Sequence, residues 1–280
     1  MILSLIPSTL RKATPLGYAA LGGTCSERAG VANIALEGMM LMGAFGYTVS
    51  AQATESAWIG LCVGIACGFG LAMLLSVATI TFQSEQIVTG VAINILALGS
   101  IEYLMPTSER VVGLPELKLP FIGHYSILTY VMPLLMLMCH IMLYKTAWGL
   151  RLRAAGNSTE ALKTLSLSRN RWQYFGVGLS GIFAGMGGCF LVSDVNLFTK
   201  GIIAGRGYVA LAAVIFGNWR PINCVLACLL FGFADSLDLI QQWNIPDQLI
   251  QSFPYILTMI VLAGLVGKTR PPAALGTSEN

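Results

Sequence analysis

The stretch Ser26–Gly38, which reads SERAGVANIALEG, decides how this chain folds. It places two carboxylates, an arginine and an asparagine inside an otherwise apolar run that extends from Ala13 to Ser50. Polar and ionisable groups at membrane depth are costly, so they face a bundle interior and mark a pathway or a site of function. The stretch therefore predicts a polar interruption within a membrane-embedded region.

The composition is that of an integral membrane protein. Of the 280 residues, 55% are hydrophobic and 10% are charged, whereas soluble domains have about 25% charged residues. A hydrocarbon core about 30 Å thick needs roughly 20 apolar residues per helix, so the length allows about eight spans, within a range of about eight to ten. We predict an all-α polytopic membrane protein, with a single transmembrane domain over residues 1–280 and no large soluble domain.

Charge patterning predicts the topology. Residues 145–172 carry six basic side chains against one acid, Glu160, so this loop and the basic C-terminal tail are expected on the cytoplasmic side. The loop over residues 102–124 has more acids than bases and is expected outside. Because the basic residues concentrate in one loop, the net charge of +3 indicates topology, and no nucleic-acid partner is predicted. The uncharged segments that we predict to span the bilayer are Ala57–Ile80, Ile87–Ile101, Ser126–Tyr144, Tyr174–Ser193, Tyr208–Trp219, Pro221–Ile240 and Leu249–Val266.

The first fifty residues allow two arrangements. The region forms either one broken crossing, with Arg11 and Lys12 on the cytoplasmic side, or two crossings with a turn at Glu27. We favour the broken crossing, because Tyr208–Trp219 is also short and follows a glycine cluster. Short helices interrupted by glycine in both halves are typical of paired discontinuous segments. Aligning Gly30–Gly38 with the segment that starts at Gly205 suggests an inverted repeat.

Two pairs of polar residues are candidates for the substrate pathway. Asn33 and Glu37 are four residues apart and share one helix face, where an amide and a carboxylate could meet a sugar hydroxyl or a nucleobase edge. Gln86 and Asn94 are eight residues apart and form a polar stripe on an apolar helix. The alternative for all four is structural, since polar side chains beside a helix break also bond freed backbone groups and join neighbouring helices.

The basic loop predicts a short cytoplasmic helix. Asn157 is placed to cap a helix whose third position is Glu160, and Ala161 and Leu162 give that helix an apolar face. Arg151 and Arg153 precede it. The alternative is a helix that lies on anionic lipid headgroups through these arginines.

Several motifs together resemble one family. The block at 26–38, the run QIVTGVAIN at 86–94, the loop GLRLRAAGNSTEAL at 149–162 and the block GRGYVALAAVIFGNWRP at 205–221 are similar, in this order, to inner-membrane permeases of bacterial ABC importers. The resemblance is to the branch that takes up nucleosides and simple sugars. It implies that residues 145–172 form the coupling loop that docks on a cytoplasmic ABC ATPase, through Arg151, Arg153, Asn157, Glu160, Ala161 and Leu162.

The resemblance also implies the rest of the assembly. The expected partners are that ATPase, a second permease subunit that is identical or paralogous, an extracytoplasmic substrate-binding protein and the lipid bilayer of the bacterial inner membrane, with the C-terminus cytoplasmic. ATP and magnesium would be used by the ATPase, and no cofactor is expected on this chain. Nucleosides are the first choice of substrate, and riboflavin or a simple sugar is the alternative.

Other chemistry finds little support in the sequence. None of the seven cysteines forms a CxxC pair, and neither histidine has a neighbouring ligand set, so no metal or catalytic site is predicted. Gly267-Lys268-Thr269 ends like a phosphate-binding loop but lacks the glycine at position 262, so the chain is expected to have no ATPase site. A proton-coupled secondary transporter using Glu37 and Asp235 is the alternative from another class.

Overall fold

The computed structural model describes residues 2–105, 111–112, 118–164, 166–236 and 271–276. The predicted span Leu249–Val266 and the motif at Gly267 lie outside the described residues. The helices are α1 (Ile2–Arg28), α2 (Leu36–Thr54), α3 (Ala57–Ser76, continued by a π-helical turn Val77–Thr81), α4 (Gln86–Leu104), α5 (Ile127–Lys145), α6 (Ala147–Asn157), α7 (Thr159–Thr164), α8 (Arg169–Val195), α9 (Arg206–Phe216) and α10 (Pro221–Ser236). The strands are β1 (Val111–Val112), β2 (Phe121–Ile122), β3 (Tyr125–Ser126) and β4 (Leu197–Phe198), paired antiparallel as β1 with β4 and β2 with β3.

The described helices confirm an all-α membrane fold. Four of them are long and apolar enough to cross a bilayer, namely Ala57–Thr81, Gln86–Leu104, Ile127–Lys145 and Arg169–Val195. Helices α9 and α10 are apolar but shorter. The short α9 is the second discontinuous segment that the glycine cluster predicts.

The bundle has two distinct ends. We call the end that carries residues 145–172 the basic end, and the opposite end, which carries His124, the far end. Arg28 lies at the basic end, where its guanidinium donates to the Tyr144 hydroxyl at 3.0 Å. Arg11 lies at the far end, where it donates to the carbonyl oxygen of His124 at 2.8 Å and approaches the Asp194 carboxylate at 3.9 Å. Helix α1 therefore traverses the whole bundle.

This placement corrects the expected arrangement of the first fifty residues. A single broken crossing with Arg11 and Lys12 at the basic end is wrong, and the structure agrees with the alternative in which the chain turns at Glu27. The chain turns just after Glu27, and α2 then runs back towards the far end beside α8. The physical reason is that Lys12, like Arg11, finds its partner at the far end, where its ammonium donates to the backbone carbonyl of Asp235.

Glycines let three helices approach within backbone contact. A Cβ added at Gly64 would lie 2.6 Å from the carbonyl oxygen of Gly43, and one at Gly68 would lie 2.5 Å from that of Gly181. A Cβ at Gly43 would lie 2.6 Å from the Cα of Gly185. We call this contact between α2, α3 and α8 the glycine seam. Small residues at such contacts are typical of closely packed membrane helices.

Two pairs of described helices, α1 with α2 and α8 with α9, run in opposite directions through the bundle. Helices α1 and α8 have 27 residues each, and each is followed by an irregular segment and then by a helix that begins inside the bundle. Helix α2 runs towards the far end, whereas α9 runs towards the basic end. This is the order expected of an inverted repeat. Aligning the starts of α2 and α9 places Leu36 opposite Arg206. This register differs from the sequence alignment above, which places Gly30 opposite Gly205.

Candidate transport site

Glu37 lies where the starts of the two discontinuous helices meet. It is in the first turn of α2, and its carboxylate accepts hydrogen bonds from the backbone amides of Gly205 at 2.8 Å and Gly207 at 2.7 Å. A Cβ at Gly207 would lie 2.5 Å from the amide nitrogen of Glu37, so only glycine permits this approach. A carboxylate at a helix N-terminus satisfies orphan amides and is stabilised by the helix dipole. Glu37 thus caps α9 from another helix.

Asn33 joins the turn after α1 to α8. Its side chain is fully buried. Its amide nitrogen donates to the Ser180 hydroxyl at 2.7 Å, and its oxygen accepts from the backbone amide of Ala35 at 3.1 Å. Asn33 is not among the residues that line the cavity described below, and its contacts are those of the structural alternative.

Gln86 and Asn94, both on α4, form hydrogen bonds with the segment between α1 and α2 and with the start of α2. The Gln86 side chain accepts a hydrogen bond from the backbone amide of Ala32 at 2.7 Å. The Asn94 side chain accepts from the Gly38 amide at 2.8 Å and donates to the Ile34 carbonyl at 3.0 Å. Both residues therefore bond backbone groups that the helix break leaves free.

A cavity of about 340 Å³ lies beside Glu37. Its volume is within the range of small-molecule sites. Helices α2 and α4 and the segment that leads into α9 form its walls. Of the four predicted pathway residues, the structure brings Glu37 and Asn94 together in this cavity, and Asn33 and Gln86 do not line it. The lining residues are Glu37, Gly38, Leu41, Val91, Asn94, Ile95, Leu98, Lys200, Gly201, Ile203, Ala204 and Tyr208.

Tyr208 is a cavity residue that the sequence did not identify. It lies in the first turn of α9, its side chain is exposed, and its hydroxyl accepts a hydrogen bond from the Asn94 side chain at 3.0 Å. That acceptor role leaves the hydroxyl proton of Tyr208 available to a bound molecule. The sequence feature that could have identified Tyr208 is its position, an aromatic residue at the start of a short helix directly after Gly205 and Gly207.

Lys200 and Glu102 form a second feature that the sequence did not identify. Lys200 lines the cavity, and its ammonium donates to the Glu102 carboxylate on the last turn of α4. The sequence shows only that Glu102 is a single charged residue at the end of an apolar span. That position does not indicate which residue it pairs with.

The basic loop folds as two helices, and this corrects one expectation. Asn157 is the last residue of α6 and does not cap α7, because the Ser158 amide donates to the Ala154 carbonyl at 2.9 Å and so continues the α6 hydrogen-bond pattern. The side-chain oxygen of Asn157 accepts instead from the Ala273 amide at 3.3 Å. The C-terminal segment 271–276 is thereby bonded to the end of α6.

The remaining predicted docking residues differ in exposure. Arg151 is exposed, with its guanidinium 5.7 Å from the Trp172 ring centre. Arg153 is half-buried and lies 4.8 Å over the Tyr144 ring. On α7, Glu160 is exposed and Leu162 is buried. Ala161 also belongs to α7.

Comparison with known proteins identifies this chain as a membrane permease. Residues 5–264 match the family described as the permease component of the branched-chain amino acid transport system, and the chain belongs to that family. The guanosine ABC transporter permease protein NupQ of Bacillus subtilis is 37% identical, over 98% of this chain and 96% of its own length. A Haloferax volcanii protein provisionally assigned as the glucose ABC transporter permease TsgC13 is 31% identical, over 99% of this chain and 97% of its own length.

A solved structure supports the fold. An ABC transporter of metal-chelate type, provisionally assigned and seen in an inward-facing conformation, superposes with a TM-score of 0.53 at 16% identity, over 91% of this chain and 85% of that chain. Together these comparisons confirm the resemblance to ABC-importer permeases. The chain is a multi-pass membrane protein and a transport component.

Proposed function

We propose that this chain is the permease subunit of an importer for nucleosides, and that the cavity beside Glu37 is part of the solute path. The observation that carries the proposal is Tyr208, which presents an aromatic ring and a free hydroxyl proton in a cavity between the two discontinuous helices. An aromatic face suits a flat base, and a donor suits the carbonyl or ring nitrogen of that base.

Electrostatics favour an uncharged solute. The charge of Glu37 is offset by the amides and the dipole of α9, and the charge of Lys200 is offset by Glu102. A simple sugar is also uncharged but has no flat ring to stack on Tyr208. The relative named as a guanosine permease supports a nucleoside as the substrate. The relative assigned to glucose supports a sugar, which is the alternative that an experiment must exclude.

The test uses the permease purified with its associated subunits and reconstituted in proteoliposomes. Uptake of labelled guanosine is measured with ATP, in competition with other nucleosides, riboflavin and glucose. Tyr208→Leu should weaken uptake at limiting substrate by roughly 5- to 150-fold, the effect of losing about 1–3 kcal/mol of base stacking. Tyr208→Phe should retain most of the stacking and lose the hydroxyl, both as a donor to the solute and as the acceptor from Asn94. Tyr103→Leu is the matched control, because Tyr103 is 84% exposed on α4 and does not line the cavity.

The competing outcomes separate the alternatives. Competition by glucose or riboflavin in place of nucleosides would replace the substrate assignment. Uptake that needs no ATP and collapses with the proton gradient would indicate a secondary transporter. Equal losses in Tyr208→Leu and Tyr103→Leu would refute the role of the cavity.

The exposed surface of α6 and α7 supports the proposed partner on the basic end. Arg151 and Glu160 present opposite charges to solvent there, whereas Arg153 packs on Tyr144 and is better placed to hold α6 against α5. We therefore assign ATPase docking to Arg151 and Glu160. The ATPase would use ATP and magnesium, and a second permease subunit and an external binding protein would complete the importer.

Copurification tests this assignment. Arg151→Glu should leave membrane insertion intact and reduce recovery of the ATPase, because it reverses an exposed charge on the docking surface. Lys118→Glu is the control, because Lys118 is exposed near the far end. Undiminished recovery with Arg151→Glu would remove Arg151 from the interface.

A further inference from the structure

The ion pair between Lys200 and Glu102 lies beside the cavity, because Lys200 is one of the lining residues. The α4 residues that line the cavity, among them Val91, Asn94 and Leu98, recur at helical spacing and form one face. Glu102 is four residues beyond Leu98 and occupies the next position on that face, towards the far end. Its carboxylate therefore lies directly beyond the cavity along α4.

The opposite wall is the segment between β4 and α9. Strand β4 fixes the start of this segment by pairing with β1, and Glu37 fixes its end at Gly205. Between these anchors, Lys200 lines the cavity and reaches across to Glu102. A Cβ at the adjacent Gly201 would meet nothing within 4 Å, so the segment has open space beside the ion pair.

We propose that Glu102 and Lys200 form a gate at the far end of the cavity. When the pair is formed, it holds α4 against the segment before α9. When it breaks, solute can enter from the far end, which the charge pattern predicts to be outside. This inference rests on the proposed function, because a gate needs the cavity to be a solute path.

The strength of the pair suits a contact that opens in every cycle. Its side chains are 24% (Lys200) and 54% (Glu102) exposed, and an ion pair at such a position shifts an equilibrium by about 1.4- to 5-fold. A fully buried pair would resist opening, because each separated charge would remain desolvated. Removing one charge should therefore favour the open state without unfolding the protein.

The first test measures access to the cavity and needs no substrate. Val91→Cys supplies a reporter among the lining residues, at the end of the α4 face farthest from Glu102, in the full complex with Cys62 and Cys67 replaced by serine. A membrane-impermeant thiol reagent is added from outside. Glu102→Gln should raise the labelling rate of the reporter by about 1.4- to 5-fold, and the charge swap Glu102→Lys with Lys200→Glu should restore the original rate.

Two controls test whether a change in the labelling rate of the reporter arises from the ion pair between Glu102 and Lys200. Phe121→Cys, an exposed position at the far end, should be labelled at the same rate in every background. Glu55→Gln removes a carboxylate from an exposed position outside the cavity and should leave the reporter rate unchanged. A reporter rate that is the same in Glu102→Gln and Glu55→Gln, or that the charge swap does not restore, would overturn the gate.

A second test holds the gate shut. Cysteines introduced by Glu102→Cys and Lys200→Cys are joined with a short, reducible bifunctional thiol reagent. Crosslinking should abolish uptake, and reduction should restore it, whereas normal uptake after complete crosslinking would overturn the gate. Failure of the wild-type complex to import nucleosides would instead contradict the proposed function, and the labelling result would still report on the gate.

Discussion

Replacing Glu37 with glutamine removes a charge at the one point where both discontinuous helices begin. The carboxylate accepts from two backbone amides, those of Gly205 and Gly207. A carboxamide of the same shape has one acceptor oxygen, and its amino group would face the second amide as donor against donor. Glu37→Gln should therefore keep one of the two hydrogen bonds and lose the other.

The expected loss of stability in Glu37→Gln follows from these two hydrogen bonds. A hydrogen bond to a charged group contributes about 1.5–3 kcal/mol, and a charge at a helix N-terminus adds about 0.3–1 kcal/mol. Loss of one bond and of the charge should thus destabilise the protein by about 2–4 kcal/mol. The start of α9 should loosen first, so uptake should fall together with stability.

The assay compares thermal unfolding of the purified complex in detergent, followed by the loss of the monodisperse peak in size-exclusion chromatography. Glu85→Gln is a matched control, because Glu85 is an exposed carboxylate that also caps two amides, those of Ile87 and Val88, at the start of its own helix α4. That change should cost about 1 kcal/mol or less. If Glu37→Gln destabilises no more than Glu85→Gln does, the capping of α9 by Glu37 contributes little and this account is wrong.

Three further predictions concern packing, topology and the turn after α1. Gly188→Ala should destabilise the protein by about 1–3 kcal/mol, because its Cβ would overlap backbone atoms of α2, whereas Gly99→Ala, with open space around it, should be neutral or stabilising in the same melting assay. A cysteine at Ser158 should be labelled from the cytoplasm and one at Phe121 from outside by an impermeant thiol reagent, and the reverse pattern would invert the orientation. Asn33→Leu should lower the melting temperature, because it removes the buried hydrogen bonds to Ser180 and Ala35, each of which contributes about 0.6–2 kcal/mol of stability. A normal melting temperature with reduced uptake would instead support a role of Asn33 in the solute path.

The sequence predicted that the chain leaves a regular helix in two places because the signal there is local, but it favoured a break within one crossing for the first place, where the structure has a turn between α1 and α2. A polar run from Glu27 to Glu37 and a glycine cluster before Tyr208 are each costly in lipid unless the chain departs from a continuous helix. The direction of α1 was mispredicted because the charge rule counts Arg11 with its sequence neighbours. Its partner Asp194 is distant in sequence, and only packing brings the two together.

The cavity lining depends on helix rotation, which periodicity does not fix. Asn94 and Gln86 lie on one face of α4, yet only Asn94 reaches the cavity, because the α1–α2 turn covers Gln86. Tyr208 points into the cavity because Gly207 lets α9 pack directly on Glu37. These rotations are set by contacts between segments that are far apart in the chain, so a single sequence does not reveal them.

The glycine seam limits how far α2, α3 and α8 can move relative to one another. Where backbones touch, as at Gly64 and Gly43, one helix has no side-chain layer on which to slide past another, and a small displacement produces atomic overlap. Helices α2, α3 and α8 should therefore behave as one rigid block through the transport cycle. Among the elements that the structure describes, α4 and the segment before α9 line the cavity and lie outside this block, so they are the elements expected to move against it when the cavity opens.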